Sequence, residues 1–331
     1  MSNNTPEVQP IIRTDSVSDV PVAHNERLLS GMTGSIIFLA CVLFTSMHLY
    51  ALNVSPIETW TFRILHVAGG LVVGFALTAA ATLERDTQVP RRSPTEWLAL
   101  VVSGTALGYA ALCMVYAWWL RDMQEVASVT APLYQLSWAL VIATACAILS
   151  SWTWRSDDKH IHWADWILMV ASILVAAYLI FVIDRWRMVA GMPLVGQTEL
   201  LVSVVGVALI MELTRRVAGL ALIVITGVFL VYAFAGPLLP GILEHQGYGA
   251  PRFFSYLYTD NGILGPTTAV SSTYICCRGA LPWWACQSSR LCIWFNGNDQ
   301  RNVCGQRGSH WFADHSAHEA CGVSPAQRRG D

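Results

Sequence analysis

A short charged segment, MELTRR (residues 211–216), stands between two apolar runs and is the first candidate for function. On a helix, Glu212 lies one turn from Arg215 and Arg216, so its carboxylate can pair with either guanidinium. A charge at the centre of a membrane costs roughly 2.5–3.5 kcal/mol, so charged groups that persist there deserve a functional hypothesis. We favour a helix end whose arginines extend to the cytoplasmic headgroups. A gate or a subunit contact stays open as the alternative.

Two histidines, His48 and His66, fall in apolar segments, where an imidazole could relay protons. Neither has an acidic neighbour in the sequence. We therefore expect each ring to be hydrogen-bonded to nearby backbone rather than to take part in a relay.

Glycines spaced four residues apart occur at Gly70 with Gly74 and at Gly104 with Gly108. This spacing lets membrane helices approach closely, so we expect these glycines to serve packing. The sequence has no Walker loop, no serine-nucleophile elbow and no HExxH pair. We predict that the protein is not an enzyme and uses no cofactor.

Cysteine and histidine are concentrated after residue 275, where metal binding has to be considered. The residues are Cys276, Cys277, Cys286, Cys292, Cys304, Cys321, His310, His315 and His318. Structural zinc sites usually show CxxC or HxxxH spacing, and no cysteine pair here has the two-residue gap. We predict no metal site, and a disulfide framework is no better supported. A membrane sensor or scaffold whose tail responds to metal or redox state remains the alternative function.

Composition identifies the class of protein. The 331 residues are 54% hydrophobic and 13% charged, with a mean hydropathy of +0.46, whereas a soluble domain has about 25% charged residues. The net charge of −2 provides no basic surface for nucleic acid. The sequence therefore predicts an all-α, polytopic integral membrane protein embedded in the lipid bilayer.

Apolar runs of about 20 residues mark spanning helices. Seven are predicted, at 31–53, 64–83, 97–120, 131–152, 164–183, 197–213 and 217–236. Lysine and arginine collect in alternate loops, at 85–92, 155–159 and 215–216, which predicts a cytoplasmic N-terminus. Residues 1–30 are polar and predict a disordered cytoplasmic tail, 31–250 a membrane domain, and 251–258 a helix at the membrane interface.

Four segments between residues 163 and 275 together resemble the fused membrane subunit of TRAP transporters (tripartite ATP-independent periplasmic transporters). They are WADWIL, ELTRRVAGLAL, VYAFAGPLLPGILEHQGYG and LYTDNGILGPTTAVSSTYI. The residues that carry the resemblance, with structural or gating roles expected, are Glu212, Arg215, Arg216, Gly219, Pro237, Pro240, Gly241, His245, Gly247, Gly262 and Gly265. Residues 30–160 share only general hydropathy with the family.

This resemblance implies a multi-pass permease of the bacterial inner membrane for uptake of a small organic acid. It implies a periplasmic solute-binding protein as partner and, in an intact member, an ion gradient, with sodium as the expected coupling ion. Residues 31–250 resemble the small-subunit half. Residues 251–275 would then be an interfacial segment and the start of the large transport half, near Gly262.

The abrupt change of composition after residue 275 suggests a shifted reading frame. Reading each codon one nucleotide later from Ile275 to Cys286 permits the apolar run Phe, Val, Val, Val, Ala, Leu, Phe, Leu, Gly, Gly, Leu. We therefore hypothesise that 276–331 is out-of-frame translation, irregular and unstructured. A carrier needs its midplane site and paired repeats, so we expect the chain to be inactive in transport when alone.

Overall fold

The computed structural model describes residues 25, 27, 29, 31–80, 93–126, 128–153, 161–192, 194–259 and 261–279, with side chains as far as Ser272 except that of Leu52. Across these ranges the regular structure is helical, and no strand occurs in them. The helices are α1 (Gly31–Asn53), α2 (Thr59–Leu77), α3 (Pro94–Met123), α4 (Thr130–Thr153), α5 (Trp163–Phe181), α6 (Ile183–Val189), α7 (Gln197–Ala218), α8 (Leu220–Ala235), α9 (Ala250–Leu257) and α10 (Pro266–Gly279). The predicted all-α class is confirmed.

Six of these helices are long and apolar enough to cross a membrane, namely α1, α2, α3, α4, α5 and α8. The multi-pass transmembrane character is therefore confirmed. The sixth predicted span, 197–213, corresponds to α7, which is 22 residues long but carries four charged residues. Near its start Glu199 pairs with Arg185, which follows α5, and near its end Arg216 pairs with Asp165, at the start of α5. Helix α7 therefore runs antiparallel to α5.

The second span begins earlier than the predicted 64–83. Glu58 caps α2, because its carboxylate accepts hydrogen bonds from the backbone N–H groups of Trp60 (3.0 Å) and Thr61 (2.7 Å). Arg63 then falls within the helix and donates to the carbonyl of Leu264 at 2.7 Å. The predicted start of α2 was wrong because a window without charge excludes Arg63, although Arg63 has a partner elsewhere in the protein.

Helix α5 lies at the centre of the bundle. Its sequence is apolar around almost its whole circumference, and most of its residues are buried, which is the pattern of a helix surrounded by others. Helices α2, α3, α4 and α7 all pack against it, and α3 and α4 form an antiparallel pair at one side. Helix α8 has no buried residue, so its apolar surface faces outward, as expected of a helix covered by lipid.

Four of the five exposed tryptophans on the α3–α4 pair lie near its two ends, and the fifth, Trp138, lies within α4. Trp97 and Trp152 lie at one end, Trp118 and Trp119 at the other, and each exposes more than two-fifths of its surface. From Trp97 to Trp119 the helix rises about 33 Å, close to the roughly 30 Å hydrocarbon thickness of a bilayer. Tryptophan is enriched at both membrane–water interfaces, so the spacing fits a helix pair that crosses the membrane.

The glycine pairs do not all serve helix packing. A Cβ at Gly74 would lie 2.6 Å from the side chain of Leu213, so close approach is confirmed there. At Gly70, Gly104 and Gly108 a Cβ would meet nothing within 4 Å. For those three the prediction is wrong, because they lie on helix surfaces that face away from neighbouring helices.

The folded part of the protein extends further than predicted toward both ends of the chain. Asn25 and Arg27 belong to the folded part, although they lie inside the predicted tail 1–30; residues 1–24 lie outside the described residues. Helix α10 continues to Gly279, so the predicted irregular region 276–331 is helical over its first four positions, and 280–331 lie outside the described residues. Helix α9 confirms a helix at 251–258, and its location at the membrane interface stays a prediction.

Candidate functional site

A buried ionic cluster forms at the end of the bundle where α4 and α7 finish and α5 begins. Asp165, in the first turn of α5, lies between two arginines: Nη1 of Arg216 is 2.7 Å from its Oδ1, and Nη2 of Arg27 bonds its Oδ2. The side chains of both arginines are 0% exposed and that of Asp165 is 1% exposed. Charges removed from water this completely need partners to be tolerated.

Glu212 forms the second centre of this cluster. Arg215 donates to its two carboxylate oxygens at 2.9 and 2.8 Å, and Nε of Arg216 donates to Oε1 at 2.8 Å. From α4, the hydroxyl of Ser151 (3.3 Å) and the indole N–H of Trp152 (2.9 Å) complete the set. Both carboxylate oxygens of Glu212 are therefore occupied, and α7 is tied to α4 by charge-assisted hydrogen bonds.

The three arginines also bind the carbonyl end of α2. Arg27 donates to the carbonyl of Phe75 at 3.1 Å, Arg216 to that of Thr78 at 3.3 Å, and Arg215 to that of Ala80 at 2.9 Å. The last carbonyls of a helix have no partner within it and carry the negative end of the helix dipole. Guanidinium groups satisfy both needs, so the cluster closes α2 as well as joining α4, α5 and α7.

The N-terminal segment enters the same site. The backbone N–H of Arg27 donates to the carbonyl of Leu77 at 2.9 Å, and that of Ala79 donates to the carbonyl of Asn25 at 2.7 Å. The side chain of Asn25 bonds the carbonyl of Arg216. The prediction of disorder was wrong at Asn25 and Arg27. Their partners are the buried carboxylate of Asp165 and the backbone groups of Leu77 and Ala79, and the polar sequence of the tail gives no sign of either.

Charge balance in the cluster depends on a neighbour. Three arginines against Asp165 and Glu212 leave one positive charge, and buried Glu96 supplies a negative charge close by. Glu96 accepts from the indole N–H of Trp163 at 3.1 Å and lies 3.4 Å from Nε2 of His162. Burial lowers the pKa of His162, although the carboxylates of Asp165 and Glu96 act to raise it. His162 is therefore neutral at pH 7 and adds no positive charge to this end of the bundle.

One half of this cluster is predictable from the sequence. The predicted pairing of Glu212 with Arg215 and Arg216 is confirmed, whereas the arginines were expected to extend to the headgroups. That interpretation is wrong for Arg216, whose side chain is fully buried against Asp165. Asp165 and Arg27 were missed, and the available signal was the single carboxylate within the apolar run that begins at Trp163.

The other motif residues near α8 lie outside this cluster. Gly219, Gly241 and Gly247 have φ values of +84°, +64° and +71°, which glycine adopts without strain. His245 holds the turn after α8, since Nε2 bonds the carbonyl of Tyr232 at 3.0 Å and Nδ1 accepts from the N–H of Gly247 at 3.0 Å. The two prolines of this segment, Pro237 and Pro240, stand in and beside the short 3₁₀ turns that follow α8.

Gly262 and Gly265 form the tight link between α9 and α10. The N–H of Gly262 donates to the carbonyl of Thr259 and that of Gly265 to the carbonyl of Gly262, both at 3.0 Å. A Cβ at Gly262 would lie 2.3 Å from the carbonyl oxygen of Leu257. Only glycine fits this close approach, so the role of Gly262 seen here is structural.

The two histidines differ from expectation in one respect. His48 bonds the carbonyl of Phe44 at 2.7 Å, as predicted. His66 has no such backbone bond among those described; its ring lies 2.7 Å from His48 and 2.7 Å from Ser271. The two imidazoles were expected to be separate, and only the packing of α1 against α2 brings them together.

The chemistry available at the ionic cluster is structural. The carboxylates of Asp165 and Glu212 are saturated by donors from the protein, and within the described ranges no three His, Cys, Asp or Glu side chains group as metal ligands do. A cavity of about 10 Å³ between α2 and α5, lined by Ile64, Leu71 and Val175 among others, is the size of one water molecule.

No protein-family model, curated protein or solved structure matches this chain.

Proposed function

We propose that this chain is the membrane-permease component of a TRAP-type secondary transporter for a small organic acid. It contributes the fixed small-subunit region and does not carry solute by itself. The proposed location is the bacterial inner membrane, with the N-terminus in the cytoplasm. The proposed partner is a periplasmic solute-binding protein.

One observation carries this proposal. Two of the segments that resemble the family, 163–168 and 212–222, lie far apart in the sequence and meet in the ionic cluster through Asp165, Glu212 and Arg216. When two distant segments both carry a family resemblance, we expect their residues to contact each other. The ion pairs of Asp165, Arg216 and Glu212 are such contacts.

The geometry of the cluster also favours a fixed scaffold over a moving carrier. It joins the ends of α2, α4, α5 and α7 by buried charges, and separating buried charge partners costs several kcal/mol. A water-sized cavity between α2 and α5 offers no room for an organic acid. Transport by alternating access would therefore require further helices that move against this bundle.

The test compares two gene products. The gene is sequenced across codon 275, and a version with the shifted frame restored is expressed beside the chain as it stands. Each is reconstituted into liposomes with its solute-binding protein, recovered by pull-down on the immobilised membrane protein. Uptake of radiolabelled organic acids under a sodium gradient is then measured.

We expect uptake only from the frame-restored protein, and only with the binding protein and the gradient present. A matched frame-restored Asp165→Asn variant should lose most of its folded yield, since the scaffold depends on that carboxylate. Uptake by the chain alone would refute the scaffold role. A downstream sequence that encodes no membrane helices in the shifted frame would refute the truncation.

A further inference from the structure

A chain of hydrogen bonds links three helices away from the ionic cluster. Nδ1 of His48 (α1) lies 2.7 Å from the carbonyl oxygen of Phe44, and its Nε2 lies 2.7 Å from Nδ1 of His66 (α2). Nε2 of His66 lies 2.7 Å from Oγ of Ser271 (α10), which lies 3.0 Å from the carbonyl oxygen of Thr268. Both histidines are buried, whereas Ser271 is exposed on α10.

Counting protons shows that a neutral pair cannot make all four bonds. The carbonyl of Phe44 only accepts, so Nδ1 of His48 carries the proton and its Nε2 accepts from His66. Nε2 of His66 then has no proton and accepts from the hydroxyl of Ser271. That hydroxyl has a single proton, so the carbonyl of Thr268 receives none.

One added proton satisfies the whole chain. Both nitrogens of His48 then donate, Nε2 of His66 donates to Oγ of Ser271, and the hydroxyl proton is free to donate to the carbonyl of Thr268. Four hydrogen bonds form in place of three, and those of a charged donor are the stronger kind. Burial of the positive charge opposes this gain, so the two effects act against each other.

We propose that His48 and His66 form one proton-binding site, which takes up a single proton shared between the rings. When the proton binds, the Ser271 hydroxyl turns from His66 to the carbonyl of Thr268. Protonation of the pair thereby changes a hydrogen bond within α10. The site is assembled by α1, α2 and α10 alone. It does not depend on the transport function proposed above.

The rings around the pair are apolar, and the nearby charged groups have partners. The ring centroid of His48 is 4.6 Å from that of Phe44 and 5.2 Å from that of Phe62. Helix α1 carries no Asp, Glu, Lys or Arg, and α10 carries none as far as Ser272; Arg278 lies near the far end of α10. Arg63 of α2 bonds the carbonyl of Leu264. Charged residues of the other packed helices and of the cap of α2 stand in ion pairs: Glu58, Asp165, Glu199, Glu212, Arg215 and Arg216.

The experiment is ¹⁵N NMR of the full chain in lipid nanodiscs with labelled histidine, over pH about 4 to about 9. The chain has nine histidines, and His48→Gln and His66→Gln assign the two signals. We expect a through-bond N–N coupling between the rings, a common midpoint for both, and uptake of one proton per pair. Two independent midpoints, or no titration of either ring, would overturn the shared site.

The role of Ser271 has its own test. Ser271→Ala removes the acceptor that the charged pair uses, so the midpoint should fall by about one pH unit. Ser272→Ala is the matched control, because Ser272 is buried in the same helix and donates to the carbonyl of Ala269 at 2.9 Å instead; its midpoint should stay unchanged. In the unaltered chain, the ¹³C signal of the Thr268 carbonyl should shift at the same midpoint. A constant Thr268 signal, or equal effects of the two alanines, would overturn the switch.

Discussion

Replacing Asp165 with Asn tests whether the ionic cluster holds the bundle together. The substitution keeps the size of the side chain but removes the charge that Arg27 and Arg216 share. Asn also turns one oxygen into an NH₂ group, which faces a guanidinium that can only donate. Both arginines, 0% exposed, would remain buried and would lose their common partner.

The expected cost follows from that burial. Breaking a buried ion pair by removing one partner costs about 3–5 kcal/mol, because the remaining charge stays desolvated. Arg216 keeps Glu212, and Arg27 keeps the carbonyl of Phe75, so we expect a value within this range rather than a sum of two such losses. Asp122→Asn is the control: Asp122 is 59% exposed and lies 3.6 Å from Arg121, and an exposed pair contributes about 0–1 kcal/mol.

The assay is equilibrium unfolding in mixed detergent micelles, followed by tryptophan fluorescence. The double variant with Arg27→Met should cost less than the sum of the single variants, because the two residues share one interaction. The reasoning is refuted if Asp165→Asn is no more destabilising than Asp122→Asn. Additive costs in the double variant would show that Arg27 and Asp165 do not depend on each other.

Two further predictions concern α2. Gly69→Ala should destabilise the protein by about 1–3 kcal/mol, since its Cβ would lie 2.3 Å from the ring of Phe44, whereas Gly70→Ala meets nothing within 4 Å and should be neutral or slightly stabilising. Equal unfolding midpoints for these variants would contradict the packing described. Partial burial raises the pKa of Glu58, but the N–H groups at the start of α2 and the Arg187 guanidinium outweigh it and hold the pKa below its ordinary value near 4.5. The carboxylate therefore contributes stability above about pH 4.5 that is lost as the pH falls through its folded pKa; Glu58→Gln should flatten that acid branch of a thermal-unfolding profile, and an unchanged acid branch would argue against it.

Helix existence was largely predictable, but not every helix end was. The run 31–53 coincides with α1, and the runs 131–152 and 164–183 differ from α4 and α5 by one or two residues at each end. Apart from Asp165 in α5 these helices carry no charged residue, so the length of the apolar run defines them. The start of α2 failed because the cap at Glu58 and the carbonyl partner of Arg63 depend on contacts rather than on composition.

The candidate site was predictable only within one helix. Glu212 and its two arginines lie three and four residues apart, and that spacing alone brings them together on α7. Asp165 and Arg27 lie 51 and 189 positions away from Arg216 along the chain, and no local pattern pairs them. The histidines show the same limit, because Ser271 reaches His66 across 205 positions.

Hydrophobicity in the linear chain determined that this protein is a bundle of helices for a membrane, because a bilayer accepts long apolar runs only as helices whose backbone bonds are internal. It also determined which charged residues would be costly to bury. Beyond the pairs local to α7, which of them meet was decided by the tertiary structure. The choice of partner depends on which helix ends come together, and that follows from the packing of α2, α4, α5 and α7 around one another.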